Sequence, residues 1–226
     1  WGDPNRPETL GSLVEATRGC HDAALLFRTP FISGKDSLNN EYLGTDGQRH
    51  AIPPTLLISA LGIMDDITKA VTMDLKEVGN TLYLIGDFAP VFGGSHFDAT
   101  INEAIPHVSE ITPQVYKALH NAINASLIRS AHDLSEGGLA IAAAEMCIGG
   151  RLGLDITPPL STRDLFGETT GCLLVEVSPA DITRFEETFN DLPFKKLGQV
   201  ISDPILKFGE TSITVEDLTK AFNTPL

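Results

Sequence analysis

The run Ala131-His132-Asp133-Leu134-Ser135-Glu136-Gly137-Gly138-Leu139-Ala140 leads into a dense apolar stretch, and this junction decides how the chain is built. Leu139 to Ile148, LAIAAAEMCI, reads as a strongly apolar helix that stops at Gly149-Gly150, where glycine ends helices readily. Ser135 is a favoured N-cap residue, which places Gly137-Gly138 in the first turn. Such a turn gathers free backbone N–H groups and the positive end of a helix dipole at one spot. A phosphate suits that spot, and Asp133 just before it suits the Mg²⁺ that travels with a phosphate. A capped helix with two glycines kept for close packing is the other reading, and the residues alone do not separate the two.

Working outward, helices and strands alternate. Upstream, Pro7 suits a first turn, and Leu10, Leu13, Val14, Thr17, Cys20, Ala24 and Phe27 keep the helical period over residues 7–27. A strand is predicted over Thr29–Ser33 and a polar connection over Leu43–Pro54. TLLISALGI, Thr55–Ile63, reads as a buried strand. Met64–Val78 shows no clean period and is where a domain boundary falls. Beyond it come a strand over Leu82–Gly86, a glycine-rich loop over Pro90–Phe97, and a helix opened by Thr112-Pro113. Downstream of the quoted run, Gly171–Val177 reads as a strand, and Ser178-Pro179 opens a helix on Ile182, Phe185 and Phe189. Strands at 196–201 and 205–208 follow, then a last helix capped by Thr214. The alternation predicts an α/β or α+β layered architecture.

The 226 residues allow one large or two small domains with ample core, and 42% hydrophobic with 20% charged residues is ordinary globular composition. A net charge of −14 with scattered lysines and arginines repels phosphate backbones, which argues against a nucleic-acid partner. No apolar run reaches the roughly 20 residues that span a bilayer, and no leader signals export. The three cysteines, Cys20, Cys147 and Cys172, lie far apart with no zinc spacing, so buried thiols in a reducing cytoplasm are expected. The chain starts at Trp1 within a motif, and a piece of a longer polypeptide is expected.

A second polar segment is Phe31-Ile32-Ser33-Gly34-Lys35-Asp36-Ser37-Leu38-Asn39-Asn40-Glu41-Tyr42. Gly34 lets a backbone approach a bound group closely, Lys35 is a compact charge for phosphate, and Asp36 and Ser37 can serve a metal or a donor site. Alone, the tetrapeptide Gly34 to Ser37 is more commonly a polar turn after an edge strand.

Together the two segments resemble the formylglycinamide ribonucleotide amidotransferase family, purine-pathway synthases in a superfamily with aminoimidazole ribonucleotide synthetase. Trp1-Gly2-Asp3-Pro4-Asn5-Arg6-Pro7-Glu8, Ile52-Pro53-Pro54-Thr55 and Gly93-Gly94-Ser95-His96-Phe97 extend the likeness in order along the chain. The resemblance implies that residues 1–68 are the later part of a second barrel-forming domain, and residues 72–226 a complete second α/β domain of the aminoimidazole ribonucleotide synthetase type. It implies an ATP-dependent ligase that joins glutamine-derived ammonia to formylglycinamide ribonucleotide, with ATP/ADP and Mg²⁺ as cofactors. The implied partners are the rest of the synthetase chain and a glutaminase subunit or domain, and a homodimer through the barrel domain fits the pattern.

By the same likeness Asp133 becomes a magnesium ligand and Ser135 a nucleotide ligand. Gly34 would lie against ATP and Ser37 against the ribonucleotide. Where the small-subunit type often has a magnesium-binding Asn, this chain has Lys35; lysine cannot ligate a cation, and its charge would neutralise phosphate directly, leaving Asp36 for the metal. Phe166 to Gly171 sits where the first repeat has a substrate-holding Glu-Ser-Gln run, but Thr169 and Thr170 depart from it, so a structural turn is expected there. His21, His50, His107 and His120 read as solvated, His132 as packing or capping, and Gly93 to His96 as loop and cap. No nucleophile arrangement can be assembled from local spacing. The family's catalytic histidine and most of its magnesium carboxylates correspond to positions before Trp1, so this chain alone is not expected to catalyse. A degenerate repeat that holds a structural Mg-nucleotide and supports the barrel is the alternative role.

Overall fold

The computed structural model describes residues 1–98 and 100–224 and divides into two compact units, Trp1–Asp65 and Asp66–Leu226.

In the first unit, Pro7 opens α1, Pro7–Phe27, as its spacing predicts, and Arg28 closes it in the left-handed region. No side chain of α1 is buried. The expected polar connection instead folds into a hairpin, β1 (Glu41–Leu43) against β2 (Arg49–Ala51), closed by a Gly44 to Gly47 turn. The ring of His50 stacks on Tyr42 at 5.3 Å and meets Asp46 at 2.9 Å, so this histidine is engaged rather than simply solvated. Neither Thr29–Ser33 nor Thr55–Ile63 forms a strand. Apolar composition makes a strand only where a neighbouring strand satisfies its N–H and C=O groups, and within this unit the one ladder is β1 with β2. The second segment is not buried either: Leu57, Leu61 and Ile63 are 88%, 87% and 92% exposed. Cys20, expected buried, is half-buried, on a helix none of whose side chains is buried.

The second unit is built on a seven-stranded mixed sheet. Its strands are β3 (Thr81–Ile85), β4 (Ile128–Asp133), β5 (Gly153–Ile156), β6 (Leu173–Val177), β7 (Phe194–Ile201), β8 (Ile205–Phe208) and β9 (Thr211–Thr214). The order across the sheet is β4-β6-β3-β7-β5-β8-β9, antiparallel except for the β5–β8 pair. Its helices are α2 (Thr112–Asn124), α3 (Gly138–Gly150), α4 (Thr162–Phe166), α5 (Ile182–Thr188) and α6 (Val215–Phe222).

The period-two alternation of the central strands explains the layering. Leu82 and Leu84 of β3 enter one core with Leu174, Leu154, Ile156 and Leu197, covered by Leu139, Ala143, Met146 and Cys147 of α3. Tyr83 and Ile85 enter the other with Val175 and Val177, covered by Val115 and Leu119 of α2 and Phe185 of α5. All five residues of β3 are buried, as a strand covered on both faces requires. Predicted helix and strand positions hold for β3, α2, α3, β6, β7, β8 and α6, the last capped by Thr214, whose Oγ1 accepts from the Asp217 amide at 3.0 Å. Strands β4, β5 and β9 and the short α4 carry no clear period and were not anticipated.

An acidic side chain sits inside this sandwich among smaller polar ones. Glu176 of β6 has no exposed surface. Its carboxylate accepts from the Lys76 amide (2.9 Å), the Glu77 amide (3.1 Å), Asn80 Nδ2 (2.7 Å) and Ser130 Oγ (2.8 Å). Four donors satisfy the charge and tie the segment entering β3 to the middle of the sheet.

Replacing Glu176 with Ala should lower unfolding stability by about 3 kcal/mol, because it strands buried donors; a urea midpoint that moves little would contradict this. A second expectation concerns the thiols. Burial pushes Cys147 up to about 12 and Cys172 up to about 11. At pH 8 a thiol reagent should therefore modify Cys20 first and reach the other two only on unfolding.

Candidate functional site

Strand β4 ends at Asp133 and delivers the backbone to the turn Leu134–Gly138. Leu134 is buried and its amide donates to the Cys172 carbonyl at 3.1 Å, which pins the turn to the strand β6 region. Ser135 and Glu136 stay exposed. The residue that caps α3 is Gly137, in the left-handed region at φ 80°, and Gly138 follows at φ 68°. Ser135 is therefore not the N-cap; its carbonyl accepts from the Gly138 amide at 3.1 Å instead. Two successive positive φ values carry the chain round a bend tighter than a serine-capped entry, and only glycine takes both without strain. A Cβ on Gly138 would also lie 2.4 Å from the Gly167 carbonyl oxygen.

Two other segments converge on this turn. The loop after β3 brings Phe92 to Phe97 to it, with Ser95 capping its own loop through a 2.8 Å bond to the Phe92 carbonyl. The Phe166–Gly171 segment lies beside that loop, joined by paired backbone bonds between Val91 and Glu168. From there one carboxylate oxygen, Glu168 Oε1, accepts from both the Gly137 amide at 2.9 Å and the His96 amide at 3.0 Å. Thr169 is buried, and Thr170 Oγ1 donates to the His107 carbonyl at 2.6 Å. The segment read from sequence as a plain turn is thus the clip that holds two loops together. Glu168 is not marked by the Thr169-Thr170 pair beside it, which reads as a turn; a carboxylate between two glycines ahead of a buried strand is its signal in the sequence.

The Phe92 loop has a second anchor. Arg163 of α4 forms a two-pronged bond with Glu103 (2.7 and 2.8 Å) and lies 4.6 Å over the Phe92 ring. Hydrogen bonds from Arg163 are the main reason Glu103 is held down at about 2. Phe97 stacks on Phe92 at 4.6 Å and faces Phe166 at 5.8 Å, which extends the clamp toward the Glu168 clip.

At the strand end, His132 is held between two carboxylates. Its Nε2 meets Glu145 of α3 at 2.7 Å, and its Nδ1 lies 3.4 Å from Asp133. His132 is mostly buried, so it packs, as the sequence predicts, while the Asp133 side chain is 68% exposed. Among the described residues no three His, Cys, Asp or Glu side chains come together as a metal cage. A lone exposed carboxylate still fits Mg²⁺, which keeps several waters and shares its remaining positions with phosphate oxygens.

The other predicted residues lie in the first unit. Gly34 to Ser37 are exposed and irregular. Gly34 has open space where a Cβ would stand, so the conformational freedom of glycine is not used there. Lys35 Nζ folds back on its own loop, donating to the Asp36 carbonyl and to Ser37 Oγ at 2.8 Å. The Trp1–Glu8 and Ser37–Tyr42 segments are joined: the Asn39 amide donates to the Gly2 carbonyl, the Asp3 amide to Glu41, and Arg6 pairs with Glu41 at 2.8 Å.

The family described as AIR synthase related protein, C-terminal domain, matches residues 77–209. A phosphoribosylformylglycinamidine synthase subunit PurL of Leuconostoc mesenteroides is 35% identical over 96% of this chain and 29% of its own length. The same subunit of Bartonella henselae is 33% identical over 99% of this chain and 31% of its own. The chain thus spans under a third of those relatives. Among solved structures, Thermotoga maritima PurL complexed with FGAR gives a TM-score of 0.57 at 19% identity, covering 67% of this chain and 30% of that one. The same protein complexed with ATP gives 0.54 at 19%, covering 67% and 27%. The α/β fold is the one these structures share.

Proposed function

Because this chain belongs to the AIR synthase related protein family by its C-terminal domain, we propose that it forms part of a phosphoribosylformylglycinamidine synthase. The observation that carries the reading is the likeness to synthase subunits over 82 to 99% of the chain, at 33 to 38% identity. The complexes of the Thermotoga protein with FGAR and with ATP supply the substrate and the nucleotide. In the complete enzyme the amide oxygen of formylglycinamide ribonucleotide takes the γ-phosphoryl group of ATP, ammonia from glutamine adds at the amide carbon, and phosphate leaves. The products are formylglycinamidine ribonucleotide, ADP and phosphate. A glutaminase subunit or domain supplies the ammonia, and the cytoplasm is the site of action. No helix among the described residues is long and apolar enough to cross a membrane.

Within that enzyme residues 1–68 contribute to a barrel-forming domain and residues 72–226 are the second α/β domain. The exposed apolar run over residues 55–63 supports the first assignment, because its side chains and backbone are left for other strands to cover. A homodimer through the barrel belongs to the same reading.

For the residues, Asp133 holds the Mg²⁺ of a nucleotide whose phosphate lies by Ser135. Bound there, the cation neutralises phosphate charge. Asp133 is suited to this by its exposure, and the His132–Glu145 pair behind it fixes the end of β4. Gly34 and Lys35 are assigned to ATP, Asp36 to a metal and Ser37 to the ribonucleotide. The alternative role, a repeat that keeps a structural Mg-nucleotide, draws support from the Gly137 amide being already engaged by Glu168.

Titration of the full chain with Mg·ADP should show binding that Asp133→Asn weakens at least about tenfold, or about 1.4 kcal/mol. Absence of binding by the folded chain would count against a nucleotide site in this unit. In the complete synthetase, Ser37→Ala should raise the ribonucleotide KM or lower turnover; unchanged kinetics would remove the GKDS loop from the active site.

A further inference from the structure

We propose that Glu41, paired with Arg6, is a positioning residue that holds the Gly34–Ser37 loop where Ser37 meets the ribonucleotide. The inference rests on the reading of Ser37 as a ribonucleotide contact, and it adds the residues that fix that contact in place. The first unit buries little: of residues 1–65, Gly2 alone is buried. The Glu41 side chain is nevertheless only 4% exposed. Its Oε1 accepts from the Asp3 amide at 2.9 Å and its Oε2 from the Arg6 guanidinium at 2.8 Å. The other ion pairs of the unit, Arg18–Glu15, His21–Asp22 and His50–Asp46, are open to solvent on both sides, where such pairs contribute little. An enclosed carboxylate with charge-assisted bonds is the exception here, and it ties the Trp1–Arg6 segment to the start of β1. Arg6 is the N-cap of α1, a place where a short polar side chain usually accepts from the first turn. It makes no such bond, and its guanidinium goes to Glu41. Gly2 leaves the room for this, since a Cβ there would lie 3.0 Å from Glu41 Oε1 and 2.9 Å from Ala51 Cβ.

From Glu41 the hold runs back into the loop. The Asn39 amide donates to the Gly2 carbonyl and the Asn40 amide to the Trp1 carbonyl, each at 3.0 Å. Asn39 takes φ 57°, which asparagine tolerates, and turns the chain from the loop into β1. Asn40 Nδ2 donates to the Ser37 carbonyl at 3.3 Å, and Lys35 Nζ to Ser37 Oγ at 2.8 Å. Residues 34–37 are exposed and irregular, so these bonds, and not packing, set their shape. Placement matters because a shift of about 1 Å in a substrate-positioning group can cost on the order of 100-fold in rate.

The experiment is steady-state kinetics of the complete synthetase carrying Glu41→Gln, Ser37→Ala or both, beside thermal unfolding of each. Glutamine at position 41 keeps an oxygen for the Asp3 amide and loses the charge that holds Arg6. Each single change should lower kcat/KM for the ribonucleotide about tenfold and leave the KM for glutamine unchanged. The two together should cost little more than about tenfold, because Glu41 acts through Ser37. Arg6→Lys, which keeps a positive charge beside Glu41, should recover most of the loss that Arg6→Met shows. A loss of about 100-fold in the double variant, the product of two independent effects, overturns the proposal. So does a Glu41→Gln enzyme that loses heat stability alone and keeps its ribonucleotide KM and turnover, as a purely structural pair would; an impaired Ser37→Ala beside it leaves the Ser37 reading standing. An unimpaired Ser37→Ala sinks that reading, and this proposal with it. Should Glu41→Gln fail to fold, Gly2→Ala, which crowds the same carboxylate oxygen, takes its place in the cycle under the same outcomes.

Discussion

A carboxylate buried without solvent would be ruinous for stability if it were alone, since the cost of desolvating a charge is several kcal/mol. Glu176 is tolerable because four donors surround it, two of them backbone amides from Lys76 and Glu77. The arrangement is reciprocal. The segment before β3 has no regular structure of its own, and its amides need acceptors; Glu176 supplies them from the strand that β3 pairs with. Asn80 and Ser130, both almost fully buried, join the same carboxylate and bring in the edge strand β4. The segment entering β3, the strand β6 and the strand β4 are thus tied together at one side chain. The Asp133 turn hangs from the end of β4, so the position of the candidate site follows from it.

What could be read in the sequence followed from strong local signals. Pro7 and a sustained period gave α1, Thr112-Pro113 gave the start of α2, Thr214 gave the cap of α6, and apolar density gave α3 and the buried β3. The missed strands show why the rest was hidden. Strand β4, IRSAHD, buries Ile128 and Ser130 but mixes polar residues on both faces, because Ser130 faces Glu176 and not a hydrocarbon layer. The segment Thr55–Ile63 shows the opposite failure: its composition says strand, but a ladder is a property of two segments, and no described residue pairs with it.

The candidate site was legible in its main chain more than in its side chains. The glycines of the HDLSEGG run announced an unusual turn, and the turn is there, with Gly137 and not Ser135 at the cap. The partner that completes it, Glu168, comes from a segment 31 residues downstream of Gly137, and its place between Gly167 and Gly171 is its one local mark. Loops from three places meet at the turn because the sheet order brings the ends of β3, β4 and β6 side by side. Strand order is a long-range fact, and periodicity is a local one.

The place of β3 in that order bears on how the protein is made. The strand pairs with β6 and β7, both of which follow it by roughly ninety residues or more, so its neighbours on either side are synthesised late. As the chain leaves the ribosome, TLYLI emerges as a bare, two-sided apolar strand with both edges open. At typical elongation rates of about 5–20 residues per second, that state lasts on the order of ten seconds. The centre of the sheet is then the part that waits longest for its partners during translation, and the interval favours protection of this segment by a chaperone or by collapse against α2.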